Sequence, residues 1–226
     1  MKEKKIGRIL KNIFIILSIL FILGCSIFYG YRLVKFYLIE NPKIEGNESI
    51  YELVTLEKNI VNFGEGLYKE GKEFIFKGNV HNNYVKYSGR IWRIISTNEG
   101  NVKMITDEVQ TSLVWGVKTD YENSLVKSWL NNEENNIKSF YESLKRPEVL
   151  VKNKTCVDEF NENEVKCDVI NEDKIGLLSI YEYNLAGAEK SYLNIDEYWW
   201  TSNVNSNKDA WYIYNEGNIN NNVYIL

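Results

Sequence analysis

Residues 13–31 read IFIILSILFILGCSIFYGY, nineteen in a row without a charge, and twelve of them are Ile, Leu or Phe. A helix rises 1.5 Å per residue, so the run is about 28 Å long, close to the roughly 30 Å hydrocarbon core of a bilayer. The twelve large apolar side chains contribute roughly −4 to −7 kcal/mol on an insertion scale. A helix buried in a soluble core would carry a polar face, and this run has none. Tyr29 and Tyr31 stand together at one end, where an interfacial aromatic belt belongs. The run therefore predicts a transmembrane helix, with residues 13–31 in contact with lipid.

The flanks predict its orientation. Lys2, Lys4, Lys5, Arg8 and Lys11 precede the run against a single Glu3, whereas only Arg32, Lys35 and Glu40 follow closely. The positive-inside rule keeps residues 1–12 in the cytoplasm and sends the rest of the chain outside. Ile22-Leu23-Gly24-Cys25 faintly resembles a lipoprotein cleavage box, but apolar residues continue past Cys25. A cleaved signal peptide has an apolar region of only about 7–15 residues and a small-residue cleavage site. An uncleaved, single-pass signal-anchor in the cell membrane is the reading these features favour.

Charge narrows the partners. The first eleven residues carry net +4 and the whole chain −4, so the remainder carries −8. An acidic exterior part argues against nucleic acid and against electrostatic docking on anionic lipid. With two prolines and abundant Asn, Lys, Ile and Tyr, the composition is that of an AT-rich, low-GC bacterial genome. About 160 residues beyond the juxtamembrane region suffice for one domain with a core of its own.

Residues 32–63 are read as a helical stalk. Leu33–Ile39 stay helix-compatible, Pro42 interrupts, and a second helix is expected from Asn47–Ser49. Its apolar positions Ile50, Leu53, Val54, Ile60 and Val61 recur at helical steps until Gly64. These are too few heptads for a coiled coil, and the oligomeric state stays open.

Residues 64–226 form the exterior domain. Strands are expected at 73–76, 84–87, 91–95 and 102–105. The last three are joined by turns at Ser88-Gly89 and Asn98-Glu99-Gly100-Asn101, an antiparallel meander. Asn123 or Ser124 caps a helix through Leu125, Val126, Trp129 and Leu130, which the Asn-rich stretch 131–136 ends. Ile137, Phe140, Tyr141 and Leu144 suggest a further short helix before Pro147. Ser179-Ile180-Tyr181-Glu182 is a capping box with Gly187 placed as the stop. Strands follow at 198–201 and 210–214, then a turn at 215–218 and a return through Ile219 and 223–226.

Cys156 and Cys167 are the cysteines outside the apolar run, eleven residues apart in an acidic stretch. Outside the cell the pair reads as a disulfide, with a loop-closure contribution of roughly 3 kcal/mol. The alternatives are a zinc site, for which two thiolates without a neighbouring histidine are a poor ligand set, and a pair of reduced thiols.

Taken in order, these residues resemble a known family. The pattern runs Tyr84-Val85-x-Tyr87, Trp92-Arg93-Ile94-Ile95, Ser124-Leu125 and Trp129-Leu130-Asn131. It continues through the cysteine pair, Ile175-Gly176-Leu177-Leu178-Ser179-x-x-Glu182-Tyr183 and Tyr198-Trp199-Trp200. It is similar, over about Gly66 to Leu226, to uncharacterised domains of bacterial and phage-associated surface proteins. Those are related to the C-type-lectin-like and sulfatase-modifying-factor superfamily. The resemblance implies an α+β domain of loop-rich antiparallel sheet with short helices. Such domains continue into a closing strand with a Val-Arg-Pro-Val type motif, absent before Leu226. The expectation is a domain lacking that strand or a chain that continues. The reactive cysteine pair of the modifying enzymes, which helps bind copper, does not map onto Cys156 and Cys167.

The catalytic inventory is thin. His81 is the one histidine and lies in a polar turn beside two asparagines. No nucleophile elbow, metalloprotease helix, phosphate loop or dinucleotide fingerprint occurs. The carboxylate pairs Glu133-Glu134 and Glu172-Asp173 sit in polar stretches, as solvated charges do. No stretch resembles an EF-hand, although some lectin-like folds hold calcium through carboxylate and Asn oxygens. No catalytic residue, metal or cofactor is therefore expected. Trp92, Trp129 and Trp211 lie in apolar-periodic runs and read as core. At Trp199 and Trp200, alternation along a strand turns one ring in and one out. The outward ring, beside Tyr198, is the candidate for stacking on a ligand, against the plainer reading of an aromatic that covers the sheet.

The expectation is a membrane-anchored, non-catalytic exterior module that binds glycan, cell wall or protein. The alternatives are an enzyme of the modifying-factor type and a structural accessory subunit of an envelope complex.

Overall fold

The computed structural model describes residues 2–40, 46–117, 120–131, 138–160, 167–205 and 209–220, with the side chains of 2–10 and 39–40 excepted. The chain divides into two compact units, Met1–Lys58 and Asn59–Leu226. The architecture is α+β, with a long apolar N-terminal helix and open antiparallel sheets.

The first unit is dominated by α1, Lys2–Glu40, one unbroken helix of 39 residues. No proline interrupts it, and the glycines at 24 and 30 lower helix propensity by only about 1 kcal/mol each. Its apolar span, Lys11–Leu38, is 28 residues, about 42 Å as a helix and long and apolar enough to cross a membrane. Its large apolar side chains are exposed. The basic head and the start of the expected stalk thus belong to the same helix as residues 13–31. Pro42 lies outside the described residues.

Helix α2 is much shorter than the periodicity suggested. It spans Ile50–Val54 and is opened by a Ser49–Glu52 capping box. The Thr55 hydroxyl donates to the Tyr51 carbonyl at 2.8 Å, and the chain then leaves the helix through a 3-10 turn at Glu57–Asn59. Ile60 and Val61 do not extend the apolar helical face. Ile60 pairs with Leu67, and the Val61 amide donates to the Leu67 carbonyl at 2.9 Å, so both belong to the second unit.

In the second unit the largest sheet is built around one strand. Strands β1 (Gly66–Glu70) and β2 (Glu73–Lys77) form a hairpin, followed by β3 (Tyr84–Tyr87), β4 (Arg90–Asn98) and β5 (Asn101–Thr106). β3 and β2 share one edge of β4, pairing at residues 90–93 and 96–97, while β5 takes the other edge. The expected meander is β3–β4–β5. Its two tight turns place Ser88 and Gly89 at φ 56° and 78°, and Glu99 and Gly100 at φ 49° and 85°. Positive φ at both central positions matches the right-handed twist of the strands, and glycine takes the second at little cost. A bulge at Ile95 shifts the β4–β5 register. Trp92, Arg93, Ile94 and Ile95 are all buried, because elements cover both faces of β4.

One face of β4 meets α3 (Leu125–Asn131) and α4 (Phe140–Ser143) in a core of Trp92, Trp115, Val126, Leu130, Phe140 and Leu144. Ser124 caps α3 by accepting from the Lys127 amide at 3.0 Å. Ile137 and most of the Asn-rich stretch lie outside the described residues. Beyond α4, β6 (Asn153–Cys156) and β7 (Ile170–Asp173) form a second small sheet on either side of the acidic stretch that holds the cysteine pair, where no strand was expected. Helix α5, Ile180–Ala186, carries the expected Ser179–Glu182 box and ends at Gly187, φ 112°. The third sheet joins β8 (Trp199–Val204), β9 (Ala210–Ile213) and β10 (Ile219–Asn220) in antiparallel order, with β9 central. Residues 223–226 lie outside the described residues.

Candidate aromatic site on the third sheet

Pairing in the third sheet decides which rings meet. β8 and β9 pair Trp199 with Ile213 and Trp200 with Tyr212. The same register sets Tyr198 beside Tyr214, so the two faces separate cleanly by alternation. On one face Trp199 meets the buried Tyr183 of α5 edge-on at 5.6 Å between centroids, and Ile213 is fully buried. Trp211 shares that face and packs edge-on against Phe160 at 5.6 Å. The Trp199 and Trp211 indole nitrogens are buried there without a hydrogen-bond partner among the described residues.

The opposite face carries Tyr198 and Trp200 on β8 and its approach, and Tyr212 and Tyr214 on β9 and its exit. Tyr198 lies 4.9 Å from Tyr214 and 6.3 Å from Tyr212, the latter nearly parallel at 27°. Tyr212 lies 5.4 Å from Tyr214 and 5.8 Å from Trp200. The row continues inward from Trp200 to Trp115 at 5.5 Å and on to Tyr121 at 6.0 Å. Leu113, Trp115 and Tyr121 therefore cover one end of the row. At that end the Trp200 indole N–H donates to the Leu113 carbonyl at 2.9 Å, which locks its ring. At the other end Tyr198 is 53 % exposed. The β9–β10 register adds a third column: Asn220 pairs with Tyr212, and the Tyr214 amide donates to the Asn218 carbonyl at 2.8 Å. Two tyrosines are thus bordered by aromatics on one side and by amide-bearing residues on the other.

Desolvation raises the Tyr212 hydroxyl to about 12, with further contributions from its hydrogen bond to Tyr214 and from the Tyr214 and Tyr198 hydroxyls. The Tyr212 phenol is therefore a neutral donor and acceptor at physiological pH. The surroundings are acidic: Asp196 and Glu197 immediately precede Tyr198, Glu216 follows Tyr214 by two residues, and all three are exposed. Described residues 191–205 and 209–220 hold no Lys or Arg.

The sequence candidates therefore divide. Tyr198 is the exposed ring, Trp200 lies on its face as a pinned floor, and Trp199 points the other way into the core. Trp129 and Trp211 are half-buried rather than fully buried, and Trp92 is buried as expected. Tyr212, Tyr214 and Trp115 escaped the sequence reading. The alternation Trp211-Tyr212-Ile213-Tyr214 marks the two tyrosines as neighbours on one face. No local pattern marks Trp115, which lies in a loop.

Cys156 and Cys167 are bonded, with sulfurs 2.05 Å apart. The Asp158 carboxylate accepts from the amides of Glu159, Asp168 and Val169 and so pins the stapled turn. Buried Asn203 ties this turn to the third sheet and to α5: it accepts from the Ile180 amide at 2.8 Å and donates to the Asp158 carbonyl at 2.9 Å. The hairpin thus supports the strand that carries the tyrosines. His81 is exposed, while its neighbour Asn83 is fully buried and accepts from Arg93 Nε at 2.7 Å. Arg93 is buried between the rings of Tyr84 and Tyr192, at 4.0 and 4.9 Å, with Asp107 at 3.5 Å. Lys127 is buried beside Glu122 and Asp173. Both cations are paired inside the domain. Among the described residues, no three His, Cys, Asp or Glu side chains are grouped to hold a metal ion.

No protein-family model, curated protein or solved structure matches the chain.

Proposed function

We propose that the chain is a membrane-anchored binding module of C-type-lectin-like kind, non-catalytic, with its second unit outside the cytoplasm and the aromatic face of the third sheet as its ligand surface. The observation that carries this reading is the continuous row Tyr198–Tyr214–Tyr212–Trp200, exposed at one end and locked at the other. Rigid aromatic rings with polar tips lose little conformational entropy on binding and offer both an apolar face and a hydroxyl, which is why such residues dominate recognition surfaces. Helix α1 supports the tether, the asymmetry of Lys and Arg around it supports the orientation, and the Cys156–Cys167 bond suits an oxidising exterior. Glycan, cell wall and protein are the ligand classes considered. The test uses the full chain in lipid nanodiscs on a glycan array, with purified cell-wall sacculi and a surface-protein fraction. Binding that Tyr198→Ala weakens while the melting temperature stays unchanged supports the reading. Retention of none of these ligands would refute it.

A further inference from the structure

We infer that the ligand of the tyrosine face is a sugar polymer bearing positively charged amino groups, of the deacetylated glucosamine class. This rests on the reading of that face as the binding surface and adds to it a charge and a shape.

Shape comes first. Tyr198, Tyr212 and Tyr214 have centroids 4.9 to 6.3 Å apart, so their rings touch one another. Rings in mutual contact enclose no space, which excludes an aromatic cage around a small quaternary ammonium ion. They instead make a platform continuous with Trp200. Its borders are polar: register places Asn218 and Asn220 alongside Tyr214 and Tyr212, while aliphatic Ile213 is turned to the core. A surface of clustered aromatic rings edged by amide-bearing residues and phenol hydroxyls matches a chain of sugar rings, which present C–H faces and a margin of hydroxyls. It does not match a lipid tail or an aliphatic protein core, which leave those polar groups without partners.

Charge then selects among sugars. Asp196, Glu197 and Glu216 lie within two residues of Tyr198 or Tyr214 in the chain and are exposed, and described residues 191–205 and 209–220 hold no Lys or Arg. Exposed carboxylates on both flanks of the platform contribute a negative field, and the part of the chain after residue 11 carries −8. Such a field repels phosphate- or carboxylate-bearing polymers and concentrates cations. Tyrosine faces add attraction for an ammonium group within about 6 Å of the ring. An amino-sugar polymer satisfies ring stacking, amide hydrogen bonding and the acidic rim together.

The test measures binding of the full chain, in nanodiscs of zwitterionic lipid with empty discs as control. Four probes are compared: glucosamine oligomers, their N-acetylated counterparts, a neutral glucan oligomer and polylysine. Glucosamine oligomers are expected to bind about five- to tenfold more tightly than the N-acetylated ones. That preference should shrink at high salt. Tyr198→Ala and Tyr214→Ala should each weaken binding about three- to thirtyfold with an unchanged melting temperature. The triple variant D196N/E197Q/E216Q should erase the preference for the free amine while leaving residual binding of the acetylated form. Equal affinity for acetylated and free oligomers would overturn the charge assignment and leave the binding surface standing. Polylysine binding as tightly as glucosamine, insensitive to Tyr198→Ala, would overturn it by showing attraction to charge alone. Failure of every probe, together with failure of sacculi to bind, would overturn this inference and the binding-surface reading beneath it.

Discussion

Removing the Cys156–Cys167 bond isolates what the staple contributes. The crosslink closes a loop of twelve residues counting both cysteines, which the chain-entropy relation converts to about 3 kcal/mol at 25 °C. Little native-state loss adds to this in the double variant C156A/C167S. The β6–β7 pairing from Asn153 to Cys156 remains, and the Asp158 carboxylate still holds the amides of Asp168 and Val169 at 2.9 and 3.2 Å. The contribution therefore acts mainly on the unfolded chain. For a unit of this size, about 3 kcal/mol lowers the melting temperature by about 6–12 °C. Melts of the full chain in detergent, followed by near-ultraviolet circular dichroism of the buried tryptophans, would read the shift. Reductant should reproduce it in the parent protein and leave the double variant unmoved, and thiol labelling should find both cysteines blocked before reduction. A chelator that lowers the melting temperature while reductant does not would refute the disulfide in favour of a metal site. A shift below about 2 °C on verified reduction would refute the loop-entropy argument.

Three further outcomes follow from buried polar groups. Arg93→Lys should cost about 2–4 kcal/mol in urea unfolding, because an ammonium cannot reproduce the fork that bonds Asn83 and the Val80 carbonyl while stacking on two tyrosines; a loss below about 0.5 kcal/mol would refute that role. Asn203→Ala should cost about 2–4 kcal/mol, since it orphans the Ile180 amide and the Asp158 carbonyl, whereas Asn205→Ala nearby on the same hairpin serves as the mild control. Burial, and then Glu189, push the Tyr183 hydroxyl up to about 12. The unfolded chain loses that proton near pH 10, so Tyr183 contributes stability that is fully present below about pH 10 and is lost as pH rises towards 12. Its share is about 2 kcal/mol. Urea midpoints between pH 9 and pH 12 should fall less steeply in Tyr183→Phe, and an unchanged slope would contradict the argument.

Much of the second unit was legible in the sequence because its signals are local. The capping box at Ser179–Glu182 depends on residues three apart, and the turns at Ser88-Gly89 and Asn98-Glu99-Gly100-Asn101 on a few neighbouring dihedrals. The missed strands lack a local signal of their own. β1, Gly-Leu-Tyr-Lys-Glu, and β7, Ile-Asn-Glu-Asp, have compositions that strand preference does not favour, and each forms by pairing with a hairpin partner. Ile60 and Val61 show the reverse: their spacing suits a helix, yet Leu67 offers backbone groups that pair with both. Lys127 and Arg93 carry no sign of burial in the sequence, and both are buried. Lys127 has one acceptor five residues away, Glu122, and a second, Asp173, on β7, while Arg93 is held by Asn83 and Asp107 from outside its own strand, and only the fold brings these groups together.

What the sequence by itself determined is the long apolar N-terminal helix. An uncharged run such as residues 13–31 satisfies its backbone hydrogen bonds within one helix, so its form does not wait on contacts from the rest of the chain. Even there, the helix proved longer at both ends, from Lys2 to Glu40, because no residue within those bounds stops it. The aromatic site belongs to tertiary structure. Tyr198 and Tyr214 are sixteen residues apart and become neighbours through the β8–β9 register. The choice between Trp199 and Trp200 is made by Tyr183 beneath one and by Trp115 and Leu113 around the other. Alternation dictates that adjacent rings face opposite ways. Which face is core and which is surface depends on elements folded over them from elsewhere in the chain.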